Sequence, residues 1–294
     1  MSNGALYLIS VLIWGSTWLA IEFQLGVVAP EVSIVYRYVI AAAMMFAWCH
    51  IRGTSLRFGL RDHLRFVLFG LLQFCLNYIL AYRAQIYITS ALAAITFASM
   101  VWMNIAFARL FFGARAGWPV LVGAVLGMAG IVVVFGPQVT DLSLSDAALL
   151  GCTLAFLGAL SASLGNMVSQ RAQLDGIPVA PANAWGMLYS VGWTSIAVLA
   201  SGHPITFDWS AGYVLSLLYL AIFGSVVAFW SYLTLVGRIG AHRAGYTSVM
   251  FPVVALLLSI LFEDLDVSLT VVAGFALVLL GNVFVLRTRP VADN

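Results

Sequence analysis

VLVGAVLGMAGIVVV, residues 120–134, and VVAGFALVLLGNVFV, residues 271–285, read as one helix written twice. Val120/Val271, Gly123/Gly274, Leu126/Leu277, Gly130/Gly281, Val132/Val283 and Val134/Val285 coincide at an offset of 151. Single matches are common in apolar sequence. Two glycines at equal spacing, in runs that occupy equivalent places in the chain, are harder to obtain by chance. Upstream the echo continues at an offset of 150, in Ala5/Ala155, Gly15/Gly165, Leu68/Leu218, Tyr82/Tyr232, Ala91/Ala241, Ala94/Ala244, Met100/Met250 and Phe112/Phe262. The chain therefore divides into two related halves, 1–140 and 141–294.

Composition says what solvent surrounds those halves. Hydrophobic residues make up 63% of the chain and charged residues 8%, and the mean hydropathy is +1.05. A soluble domain carries about a quarter charged residues, so this chain is read as a membrane protein. A formal charge of +2 is too small to point to nucleic acid. The N-terminal MSNGALYLIS lacks the basic region of a signal peptide, so the first apolar run is expected to persist as a helix. Apolar runs separated by polar breaks predict ten spans, near 5–22, 32–51, 64–82, 87–112, 117–136, 146–170, 183–200, 211–236, 241–262 and 269–287.

The arginines test that count. All thirteen basic residues are arginine, and alternate loops collect eleven of them: Arg52, Arg57, Arg61, Arg65, Arg109, Arg115, Arg171, Arg238, Arg243, Arg287 and Arg289. The opposite loops hold Glu22, Glu31, Asp141, Asp146, Asp208, Glu263, Asp264 and Asp266, with Arg83. A wrong span count scrambles this alternation. The positive-inside rule puts the arginine side, and with it both termini, in the cytoplasm. Five spans per half is an odd number, so the second half enters the membrane inverted. The fold expected is an all-α polytopic membrane protein, ten transmembrane helices in two inverted five-helix repeats around a central cavity. That is a transporter architecture, with the solute near the midplane between the halves.

Several stretches carry a family resemblance: WGSTW (14–18), PEVSIVYR (30–37), TSALAAITFASM (89–100), RIGAHRAGYTSVMFPV (238–253), LFEDL (261–265) and the glycine pairs. In order and spacing they resemble the EamA-type ten-helix exporters of the drug/metabolite transporter superfamily, over about residues 5–287. The family usually has a proline midway along both the fourth and ninth helices. Here the ninth keeps Pro252, but position 102 is Trp. With the aromatics of the third and seventh spans, this resembles the YddG branch of aromatic amino-acid exporters. The resemblance implies a basket of helices with the fifth and tenth outside it, and transport in the direction of export, in a bacterial-type inner membrane.

Polar and aromatic groups at mid-span are the candidate cavity lining, because polar groups are costly in lipid. They are Ser16 on the first span; Gln73, Asn77, Tyr78 and Tyr82 on the third; Ser99, Trp102 and Met103, with Thr96, on the fourth; Ser163 and Asn166 on the sixth; Trp185 and Tyr189, with Trp193, on the seventh; and Tyr246, with Ser248, on the ninth. Tyr82 and Trp185 lie near span ends, where headgroup anchoring is an equal reading. Ser16 pairs with Asn166 in the repeat, which predicts that both line the path. Rings and amides suit a small amphipathic solute, and a ring face also attracts an ammonium group. Neutral and zwitterionic metabolites fit, amino acids among them. Pro252 is a candidate hinge.

Two other functions compete. A proton-coupled drug or metabolite antiporter needs an exchanging carboxylate inside the membrane. Glu22 is the candidate, but it lies at the outer end of its span, and an ion pair with Arg37 is the simpler reading, with Glu31 as a rival partner. An intramembrane enzyme needs a catalytic set, and no His-Glu-x-x-His, no Gly-x-Ser-Gly and no paired midplane aspartates occur. Cys49, Cys75 and Cys152 read as small buried hydrophobes. The scattered His50, His63, His203 and His242 predict no metal site, and no cofactor is implied.

Overall fold

The computed structural model describes residues 1–141, 146–262 and 269–287, and every element assigned among them is helical. Glu263, Asp264, Asp266 and Arg289 lie outside the described residues. The helices are α1 (Asn3–Glu22), α2 (Pro30–Ile51), α3 (Leu60–Ala84) and α4 (Ser90–Ala98 continued by Met100–Phe112). They go on with α5 (Trp118–Asp141), α6 (Asp146–Leu174), α7 (Val179–Ser201), α8 (Ala211–Ile239), α9 (Thr247–Phe262) and α10 (Leu269–Arg287). A single turn, Ala241–Ala244, precedes α9. Caps set several starts: Ser2 accepts from the Ala5 N–H at 3.2 Å, Thr89 from Leu92 at 3.3 Å and Ser210 from Tyr213 at 3.3 Å. Pro30 opens α2, where its missing N–H costs nothing.

Among the described residues, α1, α2, α3, the Leu92–Phe112 part of α4, α6 and α8 are long and apolar enough to cross a membrane. α5 and α10 contain shorter apolar runs, Trp118–Val133 and Val272–Val285. The two ends of the bundle match the arginine pattern. At one end Arg238 donates to the Met1 carbonyl at 2.9 Å, and Arg65 pairs with Asp175 at 2.6 Å. At the other end Arg83 pairs with Glu31 and Tyr36 donates to the Thr206 carbonyl at 2.9 Å.

Packing follows the repeat. α1 lies on α8 and α9, and α6 lies correspondingly on α3 and α4; α2 and α7 pack on each other, and each also packs on the π-helical stretch of the other half's third helix. Those stretches, Gly70–Leu76 in α3 and Leu220–Val227 in α8, fall at equivalent positions of the two halves. The Ser225 hydroxyl follows the same winding and donates to the Leu220 carbonyl five residues back, at 3.0 Å.

The opening glycines form the seam between α5 and α10. A Cβ on Gly123 would stand 2.6 Å from the Gly281 carbonyl oxygen, and a Cβ on Gly281 would stand 2.6 Å from that of Gly123. A Cβ on Gly130 would likewise stand 2.6 Å from the Gly274 carbonyl oxygen. The helices run antiparallel, and each glycine of one half faces the non-equivalent glycine of the other. That reciprocity is what a two-fold axis between inverted halves requires. Apolar surface gains little by meeting apolar surface in lipid, so close backbone packing is what holds such a seam. Tyr246 bolts it to α9, donating its hydroxyl to the Gly123 carbonyl at 3.0 Å.

Candidate functional site

Where the halves meet lies a cavity of about 60 Å³, lined by buried side chains. α1 contributes Trp14, Thr17, Trp18 and Ile21; α3 contributes Gln73, Asn77, Tyr78 and Ala81; α4 contributes Phe97 and Met100. Ala162 and Asn166 come from α6, Phe229 and Tyr232 from α8, and Phe251 from α9. Among the described residues, none of α5 or α10 lines it, in line with the implied basket. Trp14 organises one wall. Its ring meets Phe229 at 4.8 Å, Tyr232 at 5.0 Å and Phe251 at 5.8 Å, and its Nε1–H donates to the Gly224 carbonyl at 3.0 Å. That carbonyl sits in the π-helical stretch of α8.

A small polar network lies at each end of the cavity. Toward the arginine-rich end, Asn166 donates to the Tyr232 hydroxyl at 2.9 Å and to Asn104 Oδ1 at 3.3 Å, and Ser163 donates to the same Oδ1 at 2.7 Å. Toward the other end, Trp18 stacks edge-on against Phe97 at 4.9 Å. The Trp18 carbonyl accepts from Gln85 at 3.2 Å and from Ser90 at 3.3 Å, and Ser90 also donates to the Glu22 carboxylate. Three amide oxygens of the wall, Gln73 Oε1, Asn77 Oδ1 and Asn166 Oδ1, are buried with no hydrogen-bond partner. The amide nitrogens of Asn77 and Asn166 are both engaged elsewhere, which fixes those two oxygens as free acceptors.

Four of the residues expected at the cavity line it: Gln73, Asn77, Tyr78 and Asn166. Ser16 does not; its hydroxyl bonds the Leu12 and Ile13 carbonyls and the Tyr219 hydroxyl, the usual retreat of a serine onto its own helix. Trp102 stands 36% exposed on the outside of the bundle. The α4 helix breaks at Ser99, whose hydroxyl turns back to the Thr96 carbonyl, so the stripe through 96, 99 and 103 does not continue into the cavity. Met103 packs against the core beside it, and Ser163 stands one bond behind the wall, on Asn104. Trp185 and Tyr189 face the arginine-rich end instead. Trp185 donates to the Leu56 carbonyl at 3.2 Å, and the Tyr189 hydroxyl meets His63 at 2.9 Å. Tyr246 serves the glycine seam. Pro252 is buried within α9, next to the cavity residue Phe251.

The expected Glu22–Arg37 pair is absent, and so is its rival Glu31–Arg37. Glu22 bonds Ser90, and Glu31, 2% exposed, takes Arg83 at 2.5 Å. Arg37 is 1% exposed and turns the other way, into the bundle. Its Nε donates to Ser225 at 2.8 Å, and its terminal nitrogens approach the Tyr82 and Tyr78 hydroxyls at 3.4 and 3.3 Å. The guanidinium lies over the Tyr78 ring at 4.4 Å. Tyr82 is therefore an arginine partner and not part of the cavity wall. Among the described residues no cluster of three metal-ligating side chains occurs, and the three cysteines are free, two buried and one half-buried.

The profile of the EamA-like transporter family matches residues 3–136 and again 149–287. YedA, an uncharacterized inner membrane transporter of Escherichia coli K12, is 30% identical over 257 residues, spanning 87% of this chain and 80% of its own. A probable amino-acid metabolite efflux pump of the same organism is 24% identical over 306 residues, spanning 98% and 96%. A solved crystal structure superimposes with a TM-score of 0.78 over 96% of both chains at 20% identity, a likeness of fold alone.

Proposed function

The chain belongs to the EamA-like transporter family and is a multi-pass inner-membrane transporter, and on that footing we propose that it exports amino acids, aromatic and other neutral ones, by alternating access. The observation that supports this is the cavity wall. It combines aromatic faces with free amide oxygens and, among the described residues, contains no charged side chain. Trp14, Trp18, Phe97, Phe229 and Phe251 offer an apolar side chain the surface it needs. Asn77 Oδ1 and Asn166 Oδ1 offer an ammonium group acceptors that are already desolvated and unpaired. A cavity of about 60 Å³ holds only a few waters. The site lies between the Asn166–Tyr232 network at one end and the Trp18–Phe97 contact at the other. Opening one network while the other holds is the alternating-access cycle, and the arginine bias puts the Asn166 end, with both termini, toward the cytoplasm.

The test is flux of labelled phenylalanine, tryptophan and alanine in proteoliposomes holding the purified protein. Flux above empty vesicles, lowered at least tenfold in Asn166→Ala, is the expected result. No flux for any neutral amino acid defeats the proposal.

A further inference from the structure

Arg37 raises a charge problem that the proposed function leaves open. It is buried eight residues into α2, and among the described residues no carboxylate lies within ion-pair distance of it. Glu31, on the same helix and buried as deeply, does have a partner in Arg83. A buried charge without a counter-charge is costly, and hydrogen bonds to neutral groups recover only part of that cost. Here the neutral groups are a serine and two phenols. Only the Ser225 contact, at 2.8 Å, has the length of a charge-assisted hydrogen bond; the phenols, at 3.3 and 3.4 Å, fall outside the usual ~2.7–2.9 Å. A guanidinium has five N–H donors, and these contacts use three.

The cation also lies directly behind the cavity wall. Tyr78, whose ring it covers, lines the cavity. So does Thr17. The point where a Cβ on Gly224 would stand is 3.0 Å from Thr17 Cγ2 and 3.1 Å from Arg37 Nη2, so the guanidinium and this wall residue both pack against the same point of α8. We infer that Arg37 is the carboxylate receptor of the transport site: the carboxylate of the bound solute displaces the Tyr78 hydroxyl and supplies the counter-charge that the protein lacks. The solute class is then a carboxylate with an apolar or aromatic body, and amines and amides of the same shape are poor ligands. This rests on the transport reading for the identity of the bound molecule.

Thermal stabilisation of the purified protein measures binding apart from transport. The probes are phenylalanine, 3-phenylpropionate, phenylalaninamide, phenethylamine and chloride, each on the wild type, Arg37→Lys and Arg37→Gln. The two carboxylates are expected to bind the wild type about ten- to a hundredfold more tightly than the amide and the amine. Arg37→Lys keeps part of that preference and Arg37→Gln loses it. If Arg37→Gln does not fold, the wild-type series decides alone. Equal binding of phenylalanine and its amide, or no binding of either carboxylate, overturns the inference. Stabilisation by chloride, with acid and amide alike, makes Arg37 the seat of a resident inorganic anion and overturns it too. Arg37-dependent carboxylate binding with no flux in vesicles removes the export proposal and leaves the receptor standing.

Discussion

Gly123→Ala places a methyl carbon 2.6 Å from the Gly281 carbonyl oxygen and 2.5 Å from Val285 Cγ2. An ordinary carbon–oxygen contact is about 3.4 Å, so α5 and α10 must part by ~0.8 Å at that crossing. The carbonyl is backbone and cannot swing aside. Parting also strains the 3.0 Å bond from the Tyr246 hydroxyl to the Gly123 carbonyl. Overpacking of this kind costs about 1–3 kcal/mol. Gly281→Ala strikes the same gap from the other helix, against Gly123 O and the Tyr246 hydroxyl. Once one substitution has parted the helices, the second finds room. The double variant should therefore cost less than the two singles added, by about 1 kcal/mol. Gly130→Ala acts two turns away, against Gly274 O, and should add to Gly123→Ala within about 0.5 kcal/mol. Equilibrium unfolding in mild detergent, titrated with SDS, measures all of these. Flux per folded molecule should not change, because among the described residues none of either helix lines the cavity. Strict additivity of the Gly123 and Gly281 variants, or singles as stable as the wild type, would refute the reciprocal seam.

Other perturbations test other parts of the structure. Arg83→Gln strands the buried Glu31 carboxylate and should cost about 3 kcal/mol, whereas Glu31→Gln leaves a half-exposed arginine free to reach water and should cost within about 1 kcal/mol; the same unfolding assay reads the asymmetry, and equal costs would contradict it. Trp102→Ala removes a ring on the outside of the bundle, so flux should stay within twofold of wild type; its loss would return position 102 to the transport path. Glu22→Gln keeps the contact to Ser90 and should leave flux and its response to an imposed pH gradient unchanged, whereas a lost pH response would revive the proton antiporter.

The architecture was legible because its signals do not depend on which way a helix is turned. The glycine spacing and the alternation of arginines survive any rotation about a helix axis. The site was less legible for the same reason. A soluble helix shows its buried face by the polarity of the other face, but lipid and core are equally apolar, so position around the axis leaves little trace in sequence. On α4, Phe97 lines the cavity and Trp102 is exposed; five residues of helix turn the two rings about 140° apart, and residue type gives no sign of which one faces inward. Trp14 and Trp18 line the cavity, whereas the Ser16 hydroxyl bonds its own helix and the Tyr219 hydroxyl. Gln73 and Asn77 were found because one turn of spacing holds a shared face even through the π-helical stretch. An arginine one turn or two inside α2 points in sequence to Glu22 at the same membrane level; nothing in the sequence shows that a serine and two tyrosines from other helices take its donors instead.

The inverted repeat makes the two halves structural twins, but one covalent chain lets the twins hold different chemistry. At the place in α7 that matches Arg37 in α2 stands Met187, fully buried, and the counterpart of Tyr78 is Ala228. An assembly of two identical, oppositely inserted halves would be forced to carry the arginine twice, with like charges flanking one small void and no carboxylate to separate them. Linking the halves end to end removes that obligation. The scaffold keeps its two-fold geometry, while the buried charge beside the cavity stands on one side only, at Arg37, with the neutral Met187 at the equivalent place.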